Sequence, residues 1–590
     1  MNTMRATRMS HLSTEGAHYS SLWNIRNVNW SLALSLNEVQ GGSIVYRLNL
    51  LAIPVFIAGI IKYGERTWVL RSASTEYLKY SLLPTPDPKP EYTPETIDKD
   101  ITAEAKFKHE AYFLFKIYRR LYADLPIDFT DLEKSVHILP SDLDIFKVIE
   151  LELGFLYDEL YTKTSFVCSV VGICLRSISS ISSIVAFVGF LIIDKHGYSS
   201  VNVIISYVLL VGAIILDIYA AILLLFSDWT MVWLTDLNRR SPLPNRIFKD
   251  IFSSQLAITG SKRWSHSMRQ YNLIDNCLRH DQSTKCLSFF RELKIYETLE
   301  NCQQIDSDDV LNYFQKCFSA HYFEKLDSSM MRIANSSASD KEKLVEFNKI
   351  CNDRGEYTLK KFGASGVLGS SIVGDFDESI ILWHIATDLC YHHDTKNKLI
   401  EDPDKIPVAC RNSKWLSDYM LYLLVMRPFM LPMGIGQIRY EETAAEAKRF
   451  FLHSGLISGR TEAIEKLLGE QDSHARVFCR IESFEEEFPT SRSVLEEGFR
   501  LARELLLLNM KKEEWMDKSK WDMIFLIWLD LLCYAASQCR WNQHARQLAR
   551  GGELLTHVSL FMAHRALTDL FKETSFDRRG GAVLSHYMGL

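Results

Sequence analysis

The chain has 590 residues, 47% hydrophobic and 24% charged, with a net charge of −6 at pH 7 and a pI of about 6.3. That length allows several domains, and the mildly acidic balance supplies no global basic field of the kind that draws nucleic acid. The near-average composition hides segregation, because some long stretches hold almost no charge and others are dense with it.

Residues 1–42 mix Ser, Asn, Arg and Thr without a sustained period and read as a poorly ordered lead-in, with no charged n-region and apolar run to mark a signal peptide. From Leu48 to Ile61 the chain is apolar apart from Asn49 and Pro54, which gives a candidate span near 44–62. It is short against the ~20 residues a bilayer asks for, so a span and an interfacial helix both fit, and the span is preferred. The flank that follows, Lys62-Tyr-Gly-Glu-Arg66-Thr-Trp68-Val-Leu-Arg71, is basic with an interfacial tryptophan and suits the cytosolic side. Pro84, Pro86, Pro88, Pro90 and Pro94 then stand among acidic residues, a cytosolic insertion around 82–103 that cannot be helix. Helical patterning resumes from about Ala103.

The strongest signal is a hairpin. Ser177 to Ile193 contains no charge, Val201 to Phe226 contains only Asp217, and the short turn Asp194-Lys-His-Gly197-Tyr-Ser-Ser200 joins them. Two apolar helices so tightly connected must run antiparallel, with spans near 170–193 and 201–226. Trp229 and Trp233 follow where an aromatic belt would lie, then Arg239, Arg240, Arg246, Lys249, Lys262 and Arg263, against only Lys195 in the turn. This asymmetry puts both hairpin ends and the bulk of the chain in the cytosol. An ionised carboxylate facing lipid is costly, so Asp217 is a candidate structural or functional group. Counting ~1.5 Å per residue from the turn sets it near Ser179 and Ser180, with Arg176 about one turn deeper, and these are its expected partners.

Beyond residue 240 helix dominates, with a helical linker region over 241–370 and a C-terminal helical domain over 371–575. Ser413 is a candidate N-cap for the stripe Leu416, Tyr419, Met420, Leu423 and Leu424, which Pro428 ends. Further helices start at Ser493 and Trp521, the latter carrying Asp530 against a membrane reading, and Gly551-Gly552 separates a last one. No alternating strand pattern longer than about four residues is present. The fold class is therefore all-α: a membrane-anchoring hairpin, with or without one further N-terminal span, and a large helical cytosolic domain.

Candidate chemistry is sparse. His384 and Asp388 are i,i+4 on one helix, close to Cys390, His392 and His393, so imidazole and carboxylate could meet. The competing reading is a core stripe of Ile381, Ile385 and Leu389 with a structural His–Asp contact, and a zinc site lacks a second ligand cluster. Arg427 reads as a helix C-terminal cation that pairs with Glu441 or Glu442. The 12 cysteines include no C-x-x-C pair and read as reduced, buried small apolar groups. The loop Lys361-Phe-Gly-Ala-Ser-Gly-Val-Leu-Gly369 lacks the ending of a phosphate loop, and nucleophile-elbow, zincin and kinase motifs are absent.

Several strings carry a family resemblance: Ile381-Leu-Trp383-His384-Ile-Ala-Thr387-Asp388-Leu-Cys390, Leu416-Ser-Asp418-Tyr419 through Met426-Arg427-Pro428, Arg439-Tyr-Glu441-Glu442-Thr443, and Arg550-Gly-Gly552-Glu553-Leu-Leu-Thr556. With Ile61 to Arg71 and Ser227-Asp-Trp229-Thr230, they cover about 55–570. The text resembles a plant membrane-protein family described only by two domains of unknown function, numbered 4220 and 594. The resemblance implies a multi-span protein with a C-terminal helical domain, and no catalytic residues. Members usually begin with further spans before Lys62-Tyr-Gly, whereas the first 42 residues here look unrelated. The resulting expectation is a non-enzymatic, membrane-anchored interaction or regulatory protein, with a transport or channel component as the alternative and an enzyme third. Its partners would be the bilayer and other proteins, without a cofactor, metal or nucleic acid.

Overall fold

The structure, a computed structural model, describes residues 42–72, 75–82, 103–125, 127, 131, 135, 145–193, 195, 199–233, 267–278, 303–334, 349–350, 352–397, 406–432, 434–453, 464, 493–511 and 520–565. The expectations for the lead-in 1–41, for the Pro-rich stretch and for the basic run after 233 lie outside these residues. The principal elements in chain order are α1 (Gly42–Ser72), α2 (Ala103–Tyr122), α3 (Ile145–Tyr161), α4 (Val170–Ile192), α5 (Ser200–Leu225), β1 (Ser267–Gln270), α6 (Leu273–Leu278), β2 (Gln303–Asp306), α7 (Asp308–Ala334), α8 (Glu356–Lys361), α9 (Phe376–Asn397), α10 (Val408–Met426), α11 (Gly436–His453), α12 (Val494–Lys511), α13 (Lys520–Gln538), α14 (Trp541–Leu548) and α15 (Leu554–His564). Helix dominates, and the expected all-α class with two long apolar helices able to form a hairpin holds. The four-residue strands β1 and β2 pair antiparallel, a ribbon too short to leave an alternating pattern in the sequence.

The chain divides into two units, one drawn from 1–72 and 162–230, the other from 73–161 and 231–590. The helices α2 and α3, assigned from sequence to the membrane region, belong to the second unit, as do α7 and α8 from the supposed linker.

In the first unit α4 and α5 are long and apolar enough to cross a membrane. Ser169 begins α4 by accepting the Gly172 N–H at 3.1 Å, which satisfies one of the donors a helix start leaves open. The span expected near 44–62 lies inside α1, a single 31-residue helix that runs through Pro54. Near one end Leu51 packs against Gly189, where an added Cβ would fall 2.3 Å from the leucine Cδ2. At the other end Trp68 lies 6.3 Å from the Phe166 ring just before α4. Therefore α1 runs antiparallel to α4. The buried residues of α4 are small, Gly172, Ser179, Ser183 and Ala186, and their seven-residue recurrence makes one close-packing stripe. The outward faces hold the large side chains, among them Ile53, Phe56 and Ile60 on α1, Ile181 and Leu191 on α4, and Leu209 and Leu216 on α5. Small and polar inside with large and apolar outside is the reverse of a water-facing bundle, and it is the pattern packing within lipid selects.

The second unit has the opposite order. Trp383, Trp528, Tyr419, Phe525 and Phe561 are fully buried. Central α9 packs on α12, where a Cβ at Gly498 would lie 3.0 Å from Ile385, and on α10, while α13 joins α9 through Trp528 Nε1 and Thr387 Oγ1 at 3.0 Å. Ser559 of α15 donates to the Ala536 carbonyl of α13 at 3.0 Å. Gly551 and Gly552, at φ of 96° and 80°, make the left-handed turn between α14 and α15 that other residues resist. Ser413 does not cap α10, which starts five residues earlier at Val408; it lies inside the helix and donates to the Ala409 carbonyl at 2.6 Å. The Cα-level stripe it was read from continues back through Ala409 and Cys410, which are buried.

Together α13 and α14, which bend by 99° at their junction, are apolar enough to be taken for a broken span. However, mid-helix Asp530 is fully buried and held by ionic and hydroxyl partners from other helices of the same unit. Apolarity here is core apolarity, as the position of Asp530 led one to expect.

Candidate functional site

Asp217 of α5 accepts a hydrogen bond from Lys62 Nζ of α1 at 2.7 Å. The expected pairing with Arg176 or with the Ser179–Ser183 face is therefore corrected. Arg176 and Ser180 are half-buried on α4, and Ser179 is buried with its Oγ lacking a hydrogen-bond partner, while Ser183 donates to the Ser179 carbonyl at 3.1 Å. The physical reason is the third helix. A count along the hairpin alone finds only hairpin residues at the level of Asp217, whereas α1 brings an ammonium there from 155 residues away. An ammonium and a carboxylate in direct contact form a neutral pair, which reduces the cost of either charge in lipid. Two further oxygens of this unit, Glu65 Oε1 and Asp217 Oδ2, are buried without a hydrogen-bond partner.

Three of the buried ionic clusters among the described residues of the second unit join segments far apart in the chain. In the first, His384 and Asp388 of α9 each engage a side chain of α10. His384 Nε2 accepts the Leu273 N–H at 3.2 Å and its Nδ1 faces Ser417 Oγ at 2.9 Å. A ring nitrogen that accepts an N–H carries no proton, so the proton is inferred to sit on Nδ1. Asp388 instead pairs with Lys414 Nζ at 3.1 Å, and Lys414 also grips Asp418 at 2.5 and 2.6 Å. The carboxylate near the imidazole is Asp418, 3.7 Å from Nδ1. Burial pushes the Asp418 carboxyl up, Lys414 opposes, and Asp388 adds to the rise. Asp418 and His384 together hold the segment from β1 into α6: the Asp418 carbonyl accepts the Tyr271 N–H at 3.1 Å and its carboxylate accepts from Asn272 at 3.3 Å. The imidazole thus works as a clasp for the segment that leads from β1 into α6.

In the second cluster Asp530 accepts from Thr358 Oγ1 at 2.6 Å and Lys325 Nζ at 3.1 Å, with His321 Nε2 at 3.2 Å. Lys325 also reaches Asp353 at 2.6 Å, and Asp353 in turn accepts the N–H groups of Gly355, just before α8, and of Glu356, which begins it. Although burial opposes it, Lys325 and His321 hold the Asp530 carboxyl well below the usual range. In the third, Glu553 accepts from Tyr419 at 3.3 Å and Tyr422 at 3.2 Å, and Arg427 Nε stands 3.9 Å away. Arg427 therefore approaches Glu553, not Glu441 or Glu442, which lie exposed on α11. Sequence reasoning missed Lys325, Asp353 and Glu553 because their partners are far apart in the chain; the isolated Asp530 in an apolar helix was the one available signal.

Cys390 is buried, its Sγ 3.7 Å from the Ala502 carbonyl, and His393 pairs with Asp394. No group of three or more His, Cys, Asp or Glu side chains among the described residues is arranged to hold a metal ion. The clusters have the chemistry of cross-links: Asp388, Asp530 and Glu553 are each engaged by cations or hydroxyls from another helix.

Residues 8–277 match the family described as Domain of unknown function (DUF4220), and residues 513–567 match Protein of unknown function, DUF594. These are the two families the sequence resembles. The first match begins at residue 8, so it takes in most of the leading segment expected to be unrelated. Comparison with curated proteins and with solved structures finds no match.

Proposed function

We propose, for a chain that matches both of these families, a non-enzymatic role as a membrane-anchored interaction or regulatory protein. In this reading α1, α4 and α5 cross the bilayer as a three-helix anchor, and the helical unit binds other proteins in the cytosol. The observation that carries it is the reversed polarity of the two units: large apolar side chains outside and small or polar ones inside the first, aromatic core and buried ionic cross-links inside the second. The antiparallel course of α1 supports the orientation, because it brings the basic flank Lys62–Arg71 to the same end of the unit as the hairpin's open ends. The test is purification of the full chain in mild detergent. A stoichiometric protein partner is the expected result, and retention of a substrate-like metabolite in its place contradicts it.

A second reading, a component of a transport or channel assembly, draws on the Lys62–Asp217 pair inside the anchor. Ion flux in vesicles that Asp217→Asn abolishes would favour it. The pair also has a simpler role, tying α1 to α5 across the anchor.

A further inference from the structure

On the helical unit one group of apolar side chains is turned to solvent around the start of α11. Ile435 and Ile438 are more than half exposed, Phe429 is 40% exposed, and Val373, just before α9, is 80% exposed. A fixed joint brings the segment of Val373 to Ile435 and Ile438, and Phe429 stands in the short turn Pro428–Met430 that precedes them in the chain. Arg439, next to Ile438, donates to Asp375 and Asp377 at 2.8 Å each, and Asp375 lies two residues beyond Val373. Gly436 closes the joint, since a Cβ there would lie 2.9 Å from that of Asp377 and 3.0 Å from Leu424. The apolar side chains are thus presented by a tightly packed base.

The rim is acidic. Asp375, Asp377 and Glu378 gather at Arg439, and Glu441 and Glu442 stand exposed one turn beyond Ile438 on α11. Among the described residues, Arg439 and Arg354 stand against these five carboxylates, the Nη1 of Arg354 lying 2.9 Å from the Gly374 carbonyl. The crowding registers at Glu378: burial first raises its carboxyl, Arg439 opposes, and Glu497, Asp375 and Asp377 add to the rise.

We infer that this surface docks a basic amphipathic helix of a partner protein, its apolar stripe on Ile435, Ile438, Phe429 and Val373 and its lysines or arginines over the acidic rim. Exposed apolar clusters with a charged border mark interaction sites. The sign of the border selects the occupant. A cytosolic leaflet is anionic, so the rim repels a membrane surface, whereas a cationic helix is attracted and oriented. An apolar stripe with i, i+3, i+4 anchors is what such a shallow patch accommodates.

The inference rests on the anchor reading and names the partner chemistry for it. Its test uses the full chain in neutral-lipid nanodiscs and a fluorescent synthetic peptide with leucine on one helical face and lysine on the other. Binding is expected, with at least a tenfold loss in Ile435→Asp/Ile438→Asp and a weaker salt dependence in Glu441→Gln/Glu442→Gln. Equal binding by both variants and the unaltered chain, or equal binding of a leucine–glutamate peptide, would overturn it. So would a nitroxide on Ile438→Cys that proves lipid-immersed in anionic vesicles, the outcome for a membrane-docking surface. Circular dichroism of each variant separates lost docking from lost folding. None of these outcomes bears on whether α4 and α5 cross the bilayer, so failure here leaves the anchor standing.

Discussion

Acidification below pH 6.5 should weaken the helical unit through one imidazole, that of His544. The side chain is fully buried in α14, with Nδ1 3.1 Å from Thr556 Oγ1 of α15 and Nε2 lacking a hydrogen-bond partner. A second ring proton would place a cation where it has one hydroxyl and no carboxylate. Burial accordingly lowers its pKa from 6.5 to about 3. Because the folded value is depressed, the neutral form is needed for folding. The contribution is fully present above 6.5 and is lost as the pH falls from there toward 3, where the unfolded chain takes up a proton and the folded one does not. At ~1.4 kcal/mol per pH unit, the loss is about 2 kcal/mol by pH 5. Neighbouring buried carboxyls act the other way. Burial raises Glu152 against the pull of its partner His564, 2.8 Å away, and burial raises Glu553, so both gain as the pH falls. The quantity to measure is therefore a difference, unaltered chain against His544→Gln, which keeps polar atoms but does not titrate. Pulse proteolysis of the full chain in detergent across a urea series, following peptides from 541–565, reads it at pH 7 and pH 5. The unaltered chain should lose about 2 kcal/mol more than the variant. Parallel losses would show that His544 is not held neutral by its site.

Asp530→Ala should cost about 3–5 kcal/mol in the same assay, because it strips Lys325 and His321 of a buried partner, and Asp530→Leu combined with Lys325→Met should recover part of that. His384→Phe removes the acceptor of the Leu273 N–H, so hydrogen exchange at residues 271–278 should quicken while α13 and α15 stay protected; uniform loss would mean that the clasp is a core element instead. Gly189→Leu should drive α1 off α4, seen as loss of a disulfide between cysteines placed at Ala58 and Ser182, seven residues along the antiparallel seam from Leu51 and Gly189; undiminished cross-linking would place the two helices otherwise. Lys62→Asp and Asp217→Lys should each lower the yield of folded protein, and the two together should restore it if the ion pair is what joins α1 to α5.

The hairpin was readable because its signal is local: long charge-free runs, a short turn and one carboxylate set its place and length to within a few residues. What escaped was pairing across distance. Asp217 was legible as a group that needs a partner, but Lys62 sits in a different part of the chain, in a flank first read as an interfacial basic patch. The spacing of His384 and Asp388 does put them on neighbouring turns of α9. Helix α10 then offers each a better partner, Ser417 to one and Lys414 to the other, and tertiary packing prevails over helical adjacency. Arg427 follows the same logic, since Glu553 arrives from the loop before α15. Division into units was hidden because α2 and α3 precede the hairpin in sequence yet pack with helices that follow it, as in the 2.8 Å contact of Glu152 with His564.

Topology in sealed microsomes tests the central claim most directly. With a protease-sensitive tag between α4 and α5 and a second at the C-terminus, external protease should remove the C-terminal tag and leave the inter-helix tag intact until detergent is added. The protein should also resist alkaline carbonate extraction. Cleavage of both tags in intact vesicles, or release by carbonate, would contradict a bilayer-crossing anchor.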